Sequence, residues 1–273
     1  MNPPLYDSHN HLHDDRLRPH REAIFMALKN EGVARVVVNG THERDWPEVL
    51  ALARAHPSVI PSFGLHPWQV PQRSPDWQRN LLEHLEQIPS AIGEIGLDRW
   101  KADLDPRTQE EAFLWQWRLA AARHLPASVH CLRAWGRLLE LLSAEPRPRR
   151  GFLLHSYGGP AEMVRPLARL GAYFSISGYF AHERQARRRE TFRQVPADRL
   201  LIETDAPDMA PPWQSAPYPL TDTSSGEPIN HPANLIFIYR FTAELMGESV
   251  EGLAARVRAN FQQLFGETGR GLD

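Results

Sequence analysis

At 273 residues the chain is long enough for one large α/β barrel or for two ordinary domains. Hydrophobic residues make up 42% and charged residues 23%, as in a globular protein, and a net charge of -2 lacks the basic excess by which charge alone would point to a nucleic-acid partner. No apolar run reaches the ~18 residues of a membrane span, no export signal is legible, and the single cysteine, Cys131, can form no internal disulfide, so the expectation is a cytoplasmic protein that avoids membranes.

Apolar, β-branched runs bounded by breakers predict strands at 5–12, 33–39, 59–66, 90–97, 127–132, 151–156, 172–178 and 200–206. The first carries "LYDSHNHLH", where Asp7, His9 and His11 stand at every second position; on a strand the two imidazoles share a face and could grip one ion, although such a stretch alone is more often a polar terminus. The third ends in "FGLHP", giving His66. The fourth reads "AIGEIGLD", giving Glu94 and Asp98, and leads to a helix over 107–124. The fifth, "PASVHCL", ends near His130, and the sixth, "LLHSYGG", near His155, before a helix over 162–170.

After the seventh strand comes a basic run, Arg184, Arg187, Arg188, Arg189 and Arg193, which reads as the solvated face of a helix. The eighth strand ends in "LLIETDAP", giving Glu203 and Asp205. A Pro- and Ser-rich stretch, 207–232, is too long for an ordinary connection, and a helix over roughly 248–265 follows.

Strand–helix alternation repeated eight times predicts a single α/β domain over 1–273, a (β/α)8 TIM-type barrel in which some distortion is allowed. Such barrels place their chemistry at the C-terminal ends of the strands. Taken singly, His130 or His155 reads as a satisfied core histidine, and Asp98 or Glu203 as a helix cap. Their recurrence at strand ends one, four, five, six and eight argues for one site. Four histidines (His9, His11, His130, His155) and two carboxylates (Glu94, Asp205) exceed what one tetrahedral ion takes and suit two divalent ions, with Glu94 as the natural bridge. Ligand type leaves magnesium, manganese and zinc open.

With these pieces in hand, the chain resembles the TatD family of metal-dependent hydrolases in the amidohydrolase superfamily. The resemblance is carried by "YDSHNHL", "GLHP", "AIGEIGLD", "SVHCLRA", the His of "LLHSYGG", "SISGYF", "LLIETDAP" and "NFQQLF", in family order from Leu5 to Phe265. It implies a (β/α)8 barrel and a deoxyribonuclease acting on single strands or ends of DNA, in the manner of a 3′-5′ exonuclease. It also implies that His9, His11, Glu94 and Asp205 hold one ion, that His130 and His155 hold a second shared through Glu94, and that His66 faces the substrate phosphate. The chain departs from the family in reading Ser-Tyr-Gly-Gly after His155 and in placing His231 where a Glu commonly follows the Asn of "INHPANL".

The expected mechanism is attack on phosphorus by a water held between the ions, with Asp205 taking the proton. Trp68, Trp100 and Trp213 could reach the mouth and stack on bases, although any one of them alone is expected to pack its own loop. Rival expectations are hydrolysis of carboxylic esters, lactones or amides, including D-aminoacyl-tRNA, and a catalytically silent binding scaffold. No obligate protein partner is legible.

Overall fold

The computed structural model describes residues 3–266. Its strands are β1 (Leu5–Asn10), β2 (Val33–Asn39), β3 (Val59–Phe63), β4 (Ala91–Asp98), β5 (Ala127–Leu132), β6 (Phe152–Leu154), β7 (Ala172–Ile176) and β8 (Leu200–Ile202), and they form one sheet in chain order. Every neighbouring pair is parallel. The sheet curls shut where Asp205 N donates to His9 O at 3.0 Å and His11 N to Ala206 O at 2.8 Å, so the expected (β/α)8 barrel is present. Between strands lie α1 (Arg21–Asn30), α2 (Trp46–Ala55), α3 (Trp77–Leu85), α4 (Pro106–Arg123), α5 (Trp135–Ala144), α6 (Val164–Arg169) and α7 (Ala186–Arg189). Two more, α8 (Leu235–Met246) and α9 (Val250–Phe265), follow the last barrel strand.

Local chemistry accounts for these bounds. Helix α4 begins with Pro106 in its first turn, and the Asp105 carboxylate accepts from Arg107 N and Thr108 N, satisfying donors that no helical carbonyl can reach. Ser249 caps α9 in the same way through Gly252 N, and Gly247, at φ 69, ends α8 in the left-handed region that glycine enters without penalty. The strands are buried along almost their whole length because helices cover the outside and packed side chains fill the inside.

Three expectations need correction. Strands β3, β6 and β8 end at Phe63, Leu154 and Ile202, short of the predicted ends at 66, 156 and 206. Beyond β6 and β8 the backbone enters the left-handed region at Ser156 (φ 42) and Asp205 (φ 52), which takes the chain out of the ladder beside the residues that carry chemistry. The stretch 207–232 is not simply a loop: β9 (Pro219–Thr221) pairs antiparallel with β10 (Pro228–Asn230). Between β7 and β8, finally, the basic run expected on one helix face is divided between the four-residue α7 and the short 3-10 turns beside it.

Candidate metal centre

Glu94 lies inside the barrel on β4, and its two carboxylate oxygens face different neighbours. Oε2 is 3.4 Å from His9 Nε2 and 3.3 Å from His11 Nε2. Oε1 is 2.8 Å from His155 Nε2, 3.2 Å from His130 Nδ1 and 3.4 Å from His66 Nε2. Asp205 Oδ1 completes the first group, 3.6 Å from His9 Nε2 and 3.4 Å from His11 Nε2. Five of the histidines singled out in the sequence thus surround the Glu94 carboxylate, and Asp205 stands beside two of them, from segments as far apart in the chain as β1 and the end of β8.

For His11, His130 and His66, hydrogen bonds beyond the centre decide which nitrogen faces it with a lone pair in the neutral ring. His11 Nδ1 is 2.8 Å from the Asn39 carbonyl, to which it can only donate, so Nε2 is the nitrogen whose lone pair is left for a cation once the ring is neutral. His130 Nε2 lies 2.9 Å from Asp98 Oδ2, which likewise leaves Nδ1 as the lone-pair atom. His155 directs Nδ1 toward Glu203 Oε1 at 3.7 Å and Nε2 toward Glu94. His66 differs. Its Nδ1 accepts from Trp68 N at 3.1 Å, so the neutral ring carries its proton on Nε2 and acts toward the centre as a donor rather than a ligand. Distance alone would group His66 with Glu94 and His130; its tautomer separates it.

The buried carboxylates draw positive charge to themselves, from the imidazoles or from a cation that replaces their protons. Burial would raise the Glu94 carboxyl, but the imidazoles of His155 and His66 and hydrogen bonds from His11 and His130 outweigh it and hold the group well below the usual carboxylate range. Burial, reinforced by His155, lowers His9 to about 4, so that ring is neutral. For His11 and His155 burial also lowers the pKa, yet the carboxylates of Asp205 and Glu94 overcome it and hold both rings well above the ordinary value. Neither nitrogen of the wholly buried His9 has a hydrogen-bond partner, a cost of about 1–3 kcal/mol for each unmatched group. A neutral imidazole with no partner, set between carboxylates, is the donor chemistry of a divalent-metal site, and the donor atoms of His9, His11 and Asp205 lie within 4.8 Å of one another. The residues present fit such ions.

Several supporting residues were not assigned these roles from sequence. Asp98 is no helix cap, since Asp105 caps α4. Instead Asp98 Oδ2 accepts from Trp68 Nε1 at 2.8 Å and from His130, and Oδ1 accepts from Trp100 N at 2.7 Å, which fixes the His130 ring. Glu203 is not a cap either: it accepts from Ser175 Oγ and faces His155. Asp7, although in phase with His9 and His11, accepts from His9 N, Asn10 Nδ2, Thr204 N and Thr204 Oγ1, and so ties the end of β1 to that of β8. Its position in "YDSHNHLH" was visible; its partner almost two hundred residues away was not.

The centre opens into a cavity of about 260 Å³ lined by His11, His66, Glu94, His130 and Asp205, with Asp14, Trp68 and Asp208 also on its wall. The Arg16 guanidinium bridges Asp14 and Asp208 at 3.0 Å each, linking the loops after β1 and β8. In the basic run, Arg187 and Arg188 are exposed as expected, but on a single short turn, while Arg184 lies over the Tyr179 ring. No helix among the described residues is long and apolar enough to cross a membrane.

Comparison with known proteins follows the same lines. The family model described as TatD related DNase matches residues 6–266. A relative named 3'-5' ssDNA/RNA exonuclease TatD, from Escherichia coli (strain K12), is 32% identical over 268 residues, covering 96% of this chain and 99% of that protein. Its namesake from Salmonella typhimurium is 31% identical over 263 residues, covering 96% and 98%. Among solved structures, a TatD homologue from Escherichia coli K12 superposes with a TM-score of 0.86 at 27% identity, covering 96% of this chain and 98% of the other. A hydrolase TatD family protein from Entamoeba histolytica, at 18% identity and a TM-score of 0.80 over 97% and 98% of the two chains, shares the fold.

Proposed function

The chain belongs to the TatD related DNase family of metal-dependent hydrolases, and from that premise we propose that it hydrolyses phosphodiester bonds of single-stranded DNA, stepwise from the 3′ end, with two divalent cations. The substrate and polarity follow the relatives, which carry the name 3'-5' ssDNA/RNA exonuclease. The observation that carries the two-ion reading is the division of Glu94, whose Oε2 faces His9 and His11 while Oε1 faces His130 and His155.

In this reading His9, His11, Asp205 and Glu94 hold one cation, and Glu94, His130 and His155 hold the other. Bound there, divalent ions supply Lewis acidity toward the phosphate oxygens and make a nearby water acidic. The protein's side chains do the rest. Asp98 and the Asn39 carbonyl hold His130 and His11 with the correct lone pair inward. His66 donates a hydrogen bond from Nε2–H to a non-bridging phosphate oxygen, where charge builds in the transition state. Asp205 turns Oδ1 to His9 and His11, leaving Oδ2, 4.0 Å from His155 Nδ1, to receive the proton of the attacking water. A cavity of about 260 Å³ has room for a phosphate and its sugar, not for a large ligand.

The test is metal content together with turnover of a 5′-labelled single strand. We expect about two divalent ions per chain, shortening from the 3′ end, and a loss of at least 100-fold in turnover for Asp205→Asn with the fold retained. Near-normal turnover of that variant, or a metal-free protein that still cleaves, rejects the assignment. Lactones and D-aminoacyl-tRNA, assayed alongside, would reveal an ester hydrolase instead.

A further inference from the structure

The mouth of the cavity is chemically lopsided. On the β1–β8 side stand Asp14 and Asp208, two carboxylates sharing the one guanidinium of Arg16. On the β3–β4 side, roughly opposite in the strand order, stand Trp68, Trp100 and Lys101. Trp68 is half-buried, pinned by its indole N–H on Asp98, with its ring 5.2 Å from that of His66. Lys101 holds its ammonium 3.7 Å from the centre of the Trp68 ring, and among the described residues it has no carboxylate within ion-pair distance. Trp100 lies 6.3 Å from Trp68, centre to centre, and keeps 52% of its surface exposed, against the expectation that it packs its loop.

An exposed indole is unusual, and an unpaired ammonium seated on an aromatic face is held in place without being neutralised. We propose that the segment after β4 is a landing surface for the single strand leaving the cavity, with Trp100 stacking on a base and Lys101 meeting the phosphate beside it. The strand therefore runs out over the β3–β4 rim and away from the Asp14–Asp208 wall, which would repel its phosphates. The proposal rests on the phosphodiesterase reading above and adds to it the path of the strand and the residues that grip it. Bases stack on aromatic faces with little regard to sequence, so the surface favours unpaired polynucleotide over duplex without selecting a sequence.

Fluorescence anisotropy with two labelled oligomers of equal length, oligo(dT) and its abasic counterpart, tests the inference under conditions that prevent turnover. Wild type is expected to bind oligo(dT) about tenfold more tightly than the abasic strand, within the range of base–aromatic stacking. Trp100→Ala should lose that tenfold preference while keeping its affinity for the abasic strand, and Trp100→Phe should regain most of it. Lys101→Ala should reduce the slope of log affinity against log salt by about 0.7, the share of one phosphate on a single strand, for both oligomers. An unchanged preference in Trp100→Ala, an equal loss on both oligomers, or an unchanged salt slope in Lys101→Ala overturns the landing surface. Hydrolysis of bis(p-nitrophenyl) phosphate by wild type, measured separately, reports on the parent reading: turnover of this small diester with no base preference strikes the landing surface alone, whereas no turnover strikes the phosphodiesterase reading and the inference that rests on it.

Discussion

The two sides of this barrel are built differently. From β1 to β5 the strands are 5–8 residues long and the helices α1 to α5 run 9–18, the regular pattern of the fold. From β6 to β8 the strands shrink to 3–5 residues and the helices α6 and α7 to 6 and 4. Where ladders are short, side chains take over the joining: Asp7 holds Thr204, Ser175 holds Glu203, Asn230 Nδ2 reaches Thr204 O, and Asn260 Nδ2 reaches both Ala197 O and Leu200 O. Both sides have apolar cores and buried polar links, such as Gln116 on Leu65 and Gln109 on Asp98, but the β6–β8 side has the shorter ladders to add to them, and it carries His155, Glu203 and Asp205.

The contrast breaks most sharply at Asp7. Asp7→Ala strands four buried donors at once, and a loss of about 4 kcal/mol in unfolding free energy is expected from chemical denaturation. A loss under about 1 kcal/mol would mean the polar seam contributes little. On the regular side, Leu138→Ala in α5 empties a fully buried site and should cost about 3 kcal/mol while leaving kcat/KM for a small diester unchanged. If activity falls with stability there, the two sides are not independent.

Much of this plan was legible beforehand because it is written locally. Apolar runs such as "VARVVVN" and "AYFSI" read as buried strands, and each proposed ligand stands within four residues of a strand's C-terminal end, so order and chemistry could be read together. What depends on distant partners was not. Nothing near Asp98 announces that it will hold His130, nor does "GLHPW" announce that Trp68 will donate to that same carboxylate. The hairpin of β9 and β10 begins each strand with a proline, Pro219 and Pro228, a residue that argues against a strand when read alone.

Smaller effects refine the comparison. Asp98→Asn keeps the shape but removes the charge that orients His130, so metal affinity should fall about 10- to 100-fold by competition with a chelator, with little change in melting temperature. Unaltered affinity would leave Asp98 a merely local anchor for Trp100. The smallest effect concerns His231, one of the family departures, whose Nδ1 accepts from Ala233 N and so does the capping work of a carboxylate. Burial, with a lesser push from His20, lowers this ring from 6.5 to about 4. The unfolded chain therefore binds the proton more readily, and the stability contributed by neutral His231 is complete above pH 6.5 and declines as pH falls toward 4. His231→Asn, a capping residue that does not titrate, should flatten the drop in melting temperature between about pH 7 and pH 5; parallel curves for the two proteins would dismiss the cap as a source of acid sensitivity.

The seam where Asp205 N meets His9 O joins the earliest barrel strand to the latest. During synthesis the imidazoles of β1 thus emerge long before the acid that completes their group. A ribosome-bound or prematurely terminated chain lacking β8 would miss both this closure and the proposed acid, so hydrolysis is expected only once translation has passed the final barrel segment.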